Sequence, residues 1–248
     1  DTANCTTIAN NFVSQGVDLI MANGTTALQA AATGTSTIPI LGTSITEYGV
    51  ALGIDGFTGT TGYNVSGTSD LAPLDQQAEM LHTWFPDAQT VGLLYCSAEP
   101  NSQYQVDTVQ GYLEDLGYTC TQYSFSDSND LSAVASSACT ASDVLYVPTD
   151  NTAANNAELI GNISLDTGTP IIAGEEGICK GCGVATLTIS YYDIGYKTGE
   201  MAYDILVNGA DPATMPIEYA PQFTPKYNPT MCEALGLTPP DGYEAIAE

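Results

Sequence analysis

The sequence predicts an α/β protein made of two lobes, each a parallel sheet covered by helices. Three observations predict it. Short apolar runs alternate with segments of helical periodicity, the rhythm of βαβ units. At 248 residues the chain is long enough for two lobes of ordinary domain size. A polar stretch rich in Gly and Thr, Gly53–Gly67, interrupts the rhythm and reads as a connection between two sub-structures.

The elements follow in order. Val17–Ala22 (VDLIMA) is a near-continuous apolar run, as a strand covered on both faces requires. Asn23-Gly24-Thr25 turns the chain, and Thr26–Thr33 continues as a helix. Ile38–Gly42 is the next strand and ends in Thr43-Ser44. Beyond the connection, Leu74, Ala78 and Leu81 fall at helical spacing within Pro73–Phe85. Strands are expected at Val91–Tyr95, Thr119–Phe125, Val144–Val147, Pro170–Ala173 and Val184–Ile189. Helices are expected over Ser102–Leu116, Asp130–Cys139 and Thr152–Ser164, and over Tyr192–Val207, which stops at Asn208-Gly209. Pro212–Pro240 is Pro-rich and mostly extended, with one short helix near Thr230–Leu235.

This order divides the chain into an N-terminal lobe, 1–66 with 190–212, and a C-terminal lobe, 67–189 with 213–248, with a cleft between them. The last strand and helix are expected to return to the first block. The first block carries two clear strand signals and the second carries five, so the N-terminal lobe is expected to be incomplete at its start.

Charge excludes several functions. The chain has 29 acidic residues against Lys180, Lys197 and Lys226, no Arg, and a net charge of −26. Nucleic-acid binding needs clustered Lys or Arg to displace counterions, and there is no cluster. A grip on anionic lipid fails for the same reason. The acidity reads as a solvated, self-repelling surface, with adaptation to high salt as the alternative. No apolar run is long enough to span a bilayer, and the chain opens on polar Asp1-Thr2-Ala3-Asn4 rather than on a signal peptide. Without Arg, any ligand carboxylate must be held by backbone N–H groups, hydroxyls or helix N-termini.

Seven cysteines are too few for a disulfide scaffold. Cys179-Lys180-Gly181-Cys182 is a CxxC, but it has no second pair and only one distant His, a weak zinc signal. Structural thiols, a local disulfide, and redox or metal chemistry all remain open for it. The enzyme readings are thin. His82 is the sole histidine and falls on the polar side of an amphipathic helix, where a surface residue is expected. There is no Gly-x-Ser-x-Gly elbow, no P-loop and no Gly-x-Gly-x-x-Gly after a strand. No catalytic residue, metal ligand or cofactor is predicted.

In open parallel sheets, ligands lie beyond the carboxyl ends of the strands, where loops lead into helix N-termini. Those positions carry small polar residues: Asn23, Thr25 and Thr26 after the first strand, then Thr43 and Ser44. The second block offers Ser97, Asn101 and Ser102, then Thr149, Asp150 and Asn151, then Glu175 and Glu176. Hydroxyls and helix N-termini suit a carboxylate, with Thr25, Thr26 and Ser44 facing it. Asp150, Glu175 or Asp193 suits an ammonium, Asp150 first among them. Tyr48, Tyr191 and Tyr192 supply apolar walls with a polar tip. Each also has a plainer reading. Ser, Thr, Asn and Asp after strands are common helix caps, and Asp150-Asn151-Thr152 fits a cap well.

Phe12–Ala22, Thr25–Ala32, Asn64–Gln77, Val91–Ser102, Leu145–Thr152, Ala173–Gly177 and Tyr191–Met201 carry a resemblance over nearly the whole chain. In these segments the chain resembles the TrpX-like family of ABC-transporter substrate-binding proteins, lipoproteins associated with aromatic amino-acid uptake. The resemblance implies two Rossmann-like lobes joined by a multi-strand hinge, the type I periplasmic-binding architecture, with the ligand between them. It implies contacts from Thr25–Thr26, Ser44, Asn101, Thr149–Asp150–Asn151 and Glu175. It also implies binding of an amino acid, the aromatic ones among the candidates, and delivery to the membrane permease of an importer; a monomer is expected. The location would be extracellular or periplasmic, with a lipid anchor in a preceding segment. Family members ordinarily begin with a further strand–helix–strand, and many carry small or apolar residues at Cys179 and Cys182, so the CxxC gains no role from it. A ligand-sensing receptor domain, or an enzyme using cleft carboxylates or the CxxC, is the alternative.

Overall fold

The computed structural model describes residues 2–247. The chain divides into two compact units, one running up to Leu71 with Ser190–Gln222, the other Ala72–Ile189 with Phe223 onward.

Unit 1 opens with α1 (Thr2–Gln15), β1 (Ile20–Asn23), α2 (Thr25–Gly34), β2 (Ile40–Ile45), α3 (Tyr48–Leu52) and β3 (Val65–Ser69). Unit 2 then runs α4 (Leu74–Trp84), β4 (Thr90–Cys96), α5 (Pro100–Asp115), β5 (Thr119–Phe125), α6 (Leu131–Ala141) and β6 (Val144–Val147). It continues through α7 (Asn151–Asn155), α8 (Ala157–Thr167), β7 (Ile171–Ala173), α9 (Glu176–Gly181) and β8 (Ala185–Thr188). The chain returns to unit 1 for α10 (Tyr191–Leu206) and β9 (Glu218–Tyr219), and ends in unit 2 with β10 (Thr224–Tyr227), α11 (Pro229–Leu235) and β11 (Glu244–Ala245).

Unit 1 is a four-stranded parallel sheet in the order β1-β2-β3-β9. Successive strand residues face opposite sides, so two cores form. Ile40 packs with Ile20, Leu28, Tyr48 and Val65, while Leu41 packs with Met201 and Ile205 of α10. Unit 2 is a seven-stranded sheet, β11-β10-β8-β7-β6-β4-β5, parallel except where β10 runs antiparallel to β8. Leu93 and Tyr146 face the cluster built with α4 and α5, and Leu94 and Leu145 face the cluster built with α6 and α8.

The boundaries fall beyond the expected residues 66 and 212, because β3 pairs with β2 and the 213–222 stretch contributes β9 to the same sheet. The last strand does not return to the first block. β8 stays paired with β7 and β10 in unit 2, and it is α10 and the later, two-residue β9 that cross back. The stretch Gly53–Gly67 is not merely a connection, since its end enters β3. The expected helix over Thr152–Ser164 is two helices, broken at Asn156 (φ −122°), which ends α7 and starts α8.

Candidate functional site

Unit 1 gathers its polar residues at the carboxyl ends of three neighbouring strands. After β1, Gly24 takes φ 86° and donates its N–H to the Thr43 carbonyl at 3.0 Å, and α2 starts at Thr25 without a side-chain cap. Its first N–H groups and their share of the helix dipole therefore stay available to an anion. Thr25 is buried and Thr26 half-buried.

Thr43 and Ser44 lie inside β2, not after it, because the strand bulges. Its register with β3 shifts between Gly42 and Ile45, and Ser44 sits at φ 54°. Ser44 is the one non-glycine with positive φ among the described residues. An L residue there is strained, and such strain persists where the surroundings enforce it. The enforcement is visible in the neighbours. Tyr48 Oη reaches over Gly42 and Gly67 to donate to the Thr68 carbonyl at 3.1 Å. A Cβ on Gly67, at φ 145°, would collide with the Gly42 carbonyl oxygen and with the Tyr48 hydroxyl. Tyr48 is thus a core residue, 1% exposed, whose hydroxyl burial holds well above its ordinary pKa, rather than a pocket wall.

At the end of β3, Ser69 Oγ donates to the Thr46 carbonyl at 2.9 Å, and Asp70 N–H donates to Ile45 O at 3.1 Å. Asp70 is buried, and Tyr191 Oη lies 3.4 Å from its Oδ2. Ser190 caps α10 by accepting from Asp193 N–H at 3.1 Å. Asp193 is exposed, beside a recess of about 290 Å³ that Lys197, Glu200, Glu218 and Tyr219 also line. Tyr192 is 78% exposed and stacks on Tyr196 at 6.4 Å.

In unit 2 the expected ligand residues mostly bind one another. Asp150 is 1% exposed and accepts from Cys96 N–H at 2.7 Å and Ala153 N–H at 2.8 Å. Burial, and secondarily the Glu99 charge, push its carboxyl up to about 6. Glu99 accepts from the N–H groups of Asn151 and Thr152 at 2.9 and 2.8 Å, and from both their side chains. Glu175 caps α9, accepting from Gly177 and Ile178 N–H, and burial raises its pKa as well. Asn101 donates to Thr149 O at 3.2 Å. Gln105 donates to Thr149 O and accepts from Thr149 N–H, both at 3.0 Å, standing in for a ladder partner just past β6. Ser102 is fully buried, whereas Ser97 is exposed, with its Oγ donating to Phe125 O at 3.2 Å. Glu176 pairs with Lys226 at 2.8 Å.

Sequence reasoning therefore found Thr25, Thr26, Thr43 and Ser44 at one surface, and missed Asp70, Glu99 and Gln105. The Glu99-Pro100 step, an acidic residue before a Pro at the first helical position, was the available signal for Glu99. Asp70 had none, because the strand before it reads as polar linker. His82 is not a surface residue: it is half-buried and its Nδ1 lies 2.8 Å from Tyr118 Oη. All seven cysteines are free thiols. Cys179 and Cys182 are fully buried at the end of α9, with thiol pKa values raised by that burial, the opposite of a reactive thiolate.

The profile of the family described as ABC transporter substrate binding protein matches residues 1–247. A curated relative from Clostridioides difficile (strain R20291), named tyrosine-binding protein, is 37% identical over 199 residues. That match covers 80% of this chain and 57% of the relative, so the chain spans a little over half of the relative's length. A Streptococcus pneumoniae ABC domain solved in complex with L-Trp superposes at TM-score 0.93 with 28% identity, over 99% of this chain and 86% of that one. The ligand-free, open structure of a substrate binding protein with adhesive properties from Clostridium difficile gives 0.74 with 35% identity, over 99% and 83%. The fold is the type I periplasmic-binding architecture, and the chain belongs to the ABC transporter substrate-binding protein family.

Proposed function

We propose that this chain captures an aromatic amino acid outside the cytoplasm for the membrane permease of an ABC importer, binding as a monomer and without chemistry. The observation that carries the proposal is the strand-end surface of unit 1. There the uncapped start of α2 and the strained Ser44 stand side by side on adjacent strands. In a chain without Arg, N–H groups and a hydroxyl are what remains to hold a carboxylate. The L-Trp in the pneumococcal structure and the name of the Clostridioides relative support an aromatic side chain on that carboxylate. Among the described residues no helix is long and apolar enough to cross a membrane. Attachment to the cell surface is assigned to a lipid anchor, as the family resemblance implies.

Thermal unfolding tests the proposal against the standard amino acids, nucleosides and simple sugars, with calorimetric titration of each hit. A ligand at 100 times its dissociation constant adds about 2.7 kcal/mol to the unit that binds it. Tyrosine, tryptophan or phenylalanine should raise the transition while the others do not. A panel in which only sugars or nucleosides raise it would sink the proposal.

A further inference from the structure

We infer that the outward face of α10 docks an arginine-bearing extracytoplasmic segment of the membrane permease; the inference rests on the importer reading above. α10 turns Ile194, Thr198, Met201 and Ile205 into unit 1, a seam at helical spacing. The residues opposite such a seam are ordinarily polar, as in α4, which exposes Asp75, Gln76, Glu79 and Thr83. In α10 they are Tyr192, Tyr196, Tyr203, Leu206 and Val207, each more than half exposed. Tyr192 and Tyr196 stack one turn apart, with their rings tilted by 27°. Gly195 and Gly199 lie beside this ridge, and a Cβ on either would meet nothing within 4 Å. Glycine weakens a helix interior relative to alanine, and no packing contact among the described residues requires it at these two positions. The pair forms a low shoulder along which a second backbone can approach the tyrosine rings.

Charge selects the partner. α10 carries Asp193, Glu200 and Asp204 against one cation, Lys197, which pairs with Glu200 at 3.6 Å. Asp193 and Glu200, with Tyr196 and with Glu218 of β9, line the recess of about 290 Å³ at the flank of the ridge. A second copy of this chain would bring the same carboxylates and another net charge of −26, and an anionic membrane surface would be repelled likewise. An arginine suits both features. Its planar guanidinium stacks on a tyrosine ring and pairs with a carboxylate through parallel N–H groups. Tyrosine and arginine are also enriched among the side chains that carry most of the binding energy where proteins meet. From Tyr192 to Val207 the ridge runs about 22 Å at the usual helical rise. It is one helix wide, about 10 Å, so it presents on the order of 200 Å², against about 800 Å² per partner in a stable complex. Such an area suits a transient encounter, as repeated delivery to a permease requires.

The test is uptake of radiolabelled L-tyrosine into proteoliposomes that hold the permease and ATPase of the same importer, driven by this chain added outside. Calorimetric titration with L-tyrosine runs alongside. Two double variants are compared with wild type: Tyr196→Ser with Tyr203→Ser, and Glu200→Gln with Glu218→Gln. In each, half-maximal uptake should need at least about tenfold more binding protein, while the Kd for L-tyrosine stays within about twofold of wild type. Added salt should raise that requirement for wild type and far less for the carboxylate variant. Unchanged uptake in either variant, or a Kd for L-tyrosine that weakens as far as uptake does, would overturn the assignment. A wild-type dimer in sedimentation that the tyrosine variant abolishes would give the face to a second copy instead. Permease-free vesicles that bind wild type and not the variants would give it to the lipid. Should one variant not fold, the other decides alone. If wild type binds L-tyrosine yet drives no uptake, the importer reading itself falls and this assignment with it.

Discussion

Ser44 offers a perturbation in which stability and affinity should move in opposite directions. A non-glycine residue at φ 54° carries about 1–2 kcal/mol of local strain. Ser44→Gly removes that strain but returns roughly 0.5–1 kcal/mol to the freedom of the unfolded chain, leaving a net gain of about 0.5–1 kcal/mol. Ser44→Ala keeps the Cβ, and so the strain, and should unfold close to wild type. Both variants lose the hydroxyl. If that hydroxyl donates to the ligand carboxylate, each should bind about 10- to 150-fold more weakly, since a bond to a charged partner contributes about 1.5–3 kcal/mol. Guanidinium unfolding and calorimetric titration with L-tyrosine read the two quantities separately. Retained affinity in Ser44→Gly would show that the strained backbone does not serve the ligand. A Gly variant no more stable than the Ala variant would show that the bulge relaxes and stores nothing.

Two further outcomes follow from the packing. Gly67→Ala forces a methyl onto the Gly42 carbonyl and the Tyr48 hydroxyl, so unit 1 should lose at least about 3 kcal/mol in denaturant unfolding; a loss under 1 kcal/mol would mean the strands separate easily. Asp150, raised from 3.8 to about 6, binds its proton more tightly folded than unfolded. Its contribution to stability is therefore full below 3.8 and lost as pH rises through about 6, on the order of 3 kcal/mol. Wild type should accordingly gain stability from pH 7 to 5 relative to Asp150→Asn, and parallel pH profiles for the two would contradict this.

The sequence was most readable where burial is apolar. VGLLY and VLYV mark β4 and β6 because strands covered on both faces need continuous apolar residues. β3 (VSGTS) is as buried as either, yet it reads as linker. Its burial is satisfied by hydroxyls, with Thr68 Oγ1 3.2 Å from Thr43 Oγ1 and 2.9 Å from Thr198 Oγ1. Those partners come from β2 and α10, the second of them 130 residues away, and no local pattern could announce them. Missing β3 concealed Asp70. α9 was hidden differently: Glu175-Glu176 looks like a solvated loop until Glu175 is seen capping the helix. The strand-end positions themselves were legible, because parallel α/β units place polar turns there regardless of detail. Which of those residues face a ligand was not, since capping and ligand binding draw on the same side chains.

That overlap suggests a division of labour. In unit 2, Asp150, Glu99, Glu175 and Gln105 satisfy backbone groups, so the strand ends there are held rigid by bonds that a ligand cannot borrow without loss. In unit 1 the comparable positions are an uncapped helix start, a strained serine and a buried aspartate on neighbouring strands. The net charge of −26 acts on the same choice from outside. Such a field repels anionic solutes and exerts no net force on a zwitterion, so dicarboxylic amino acids are disfavoured before contact. With no guanidinium in the chain, a ligand's single carboxylate must suit neutral donors. An α-amino acid with an uncharged side chain meets both conditions, and the aromatic ones add the apolar area that a neutral site can reward.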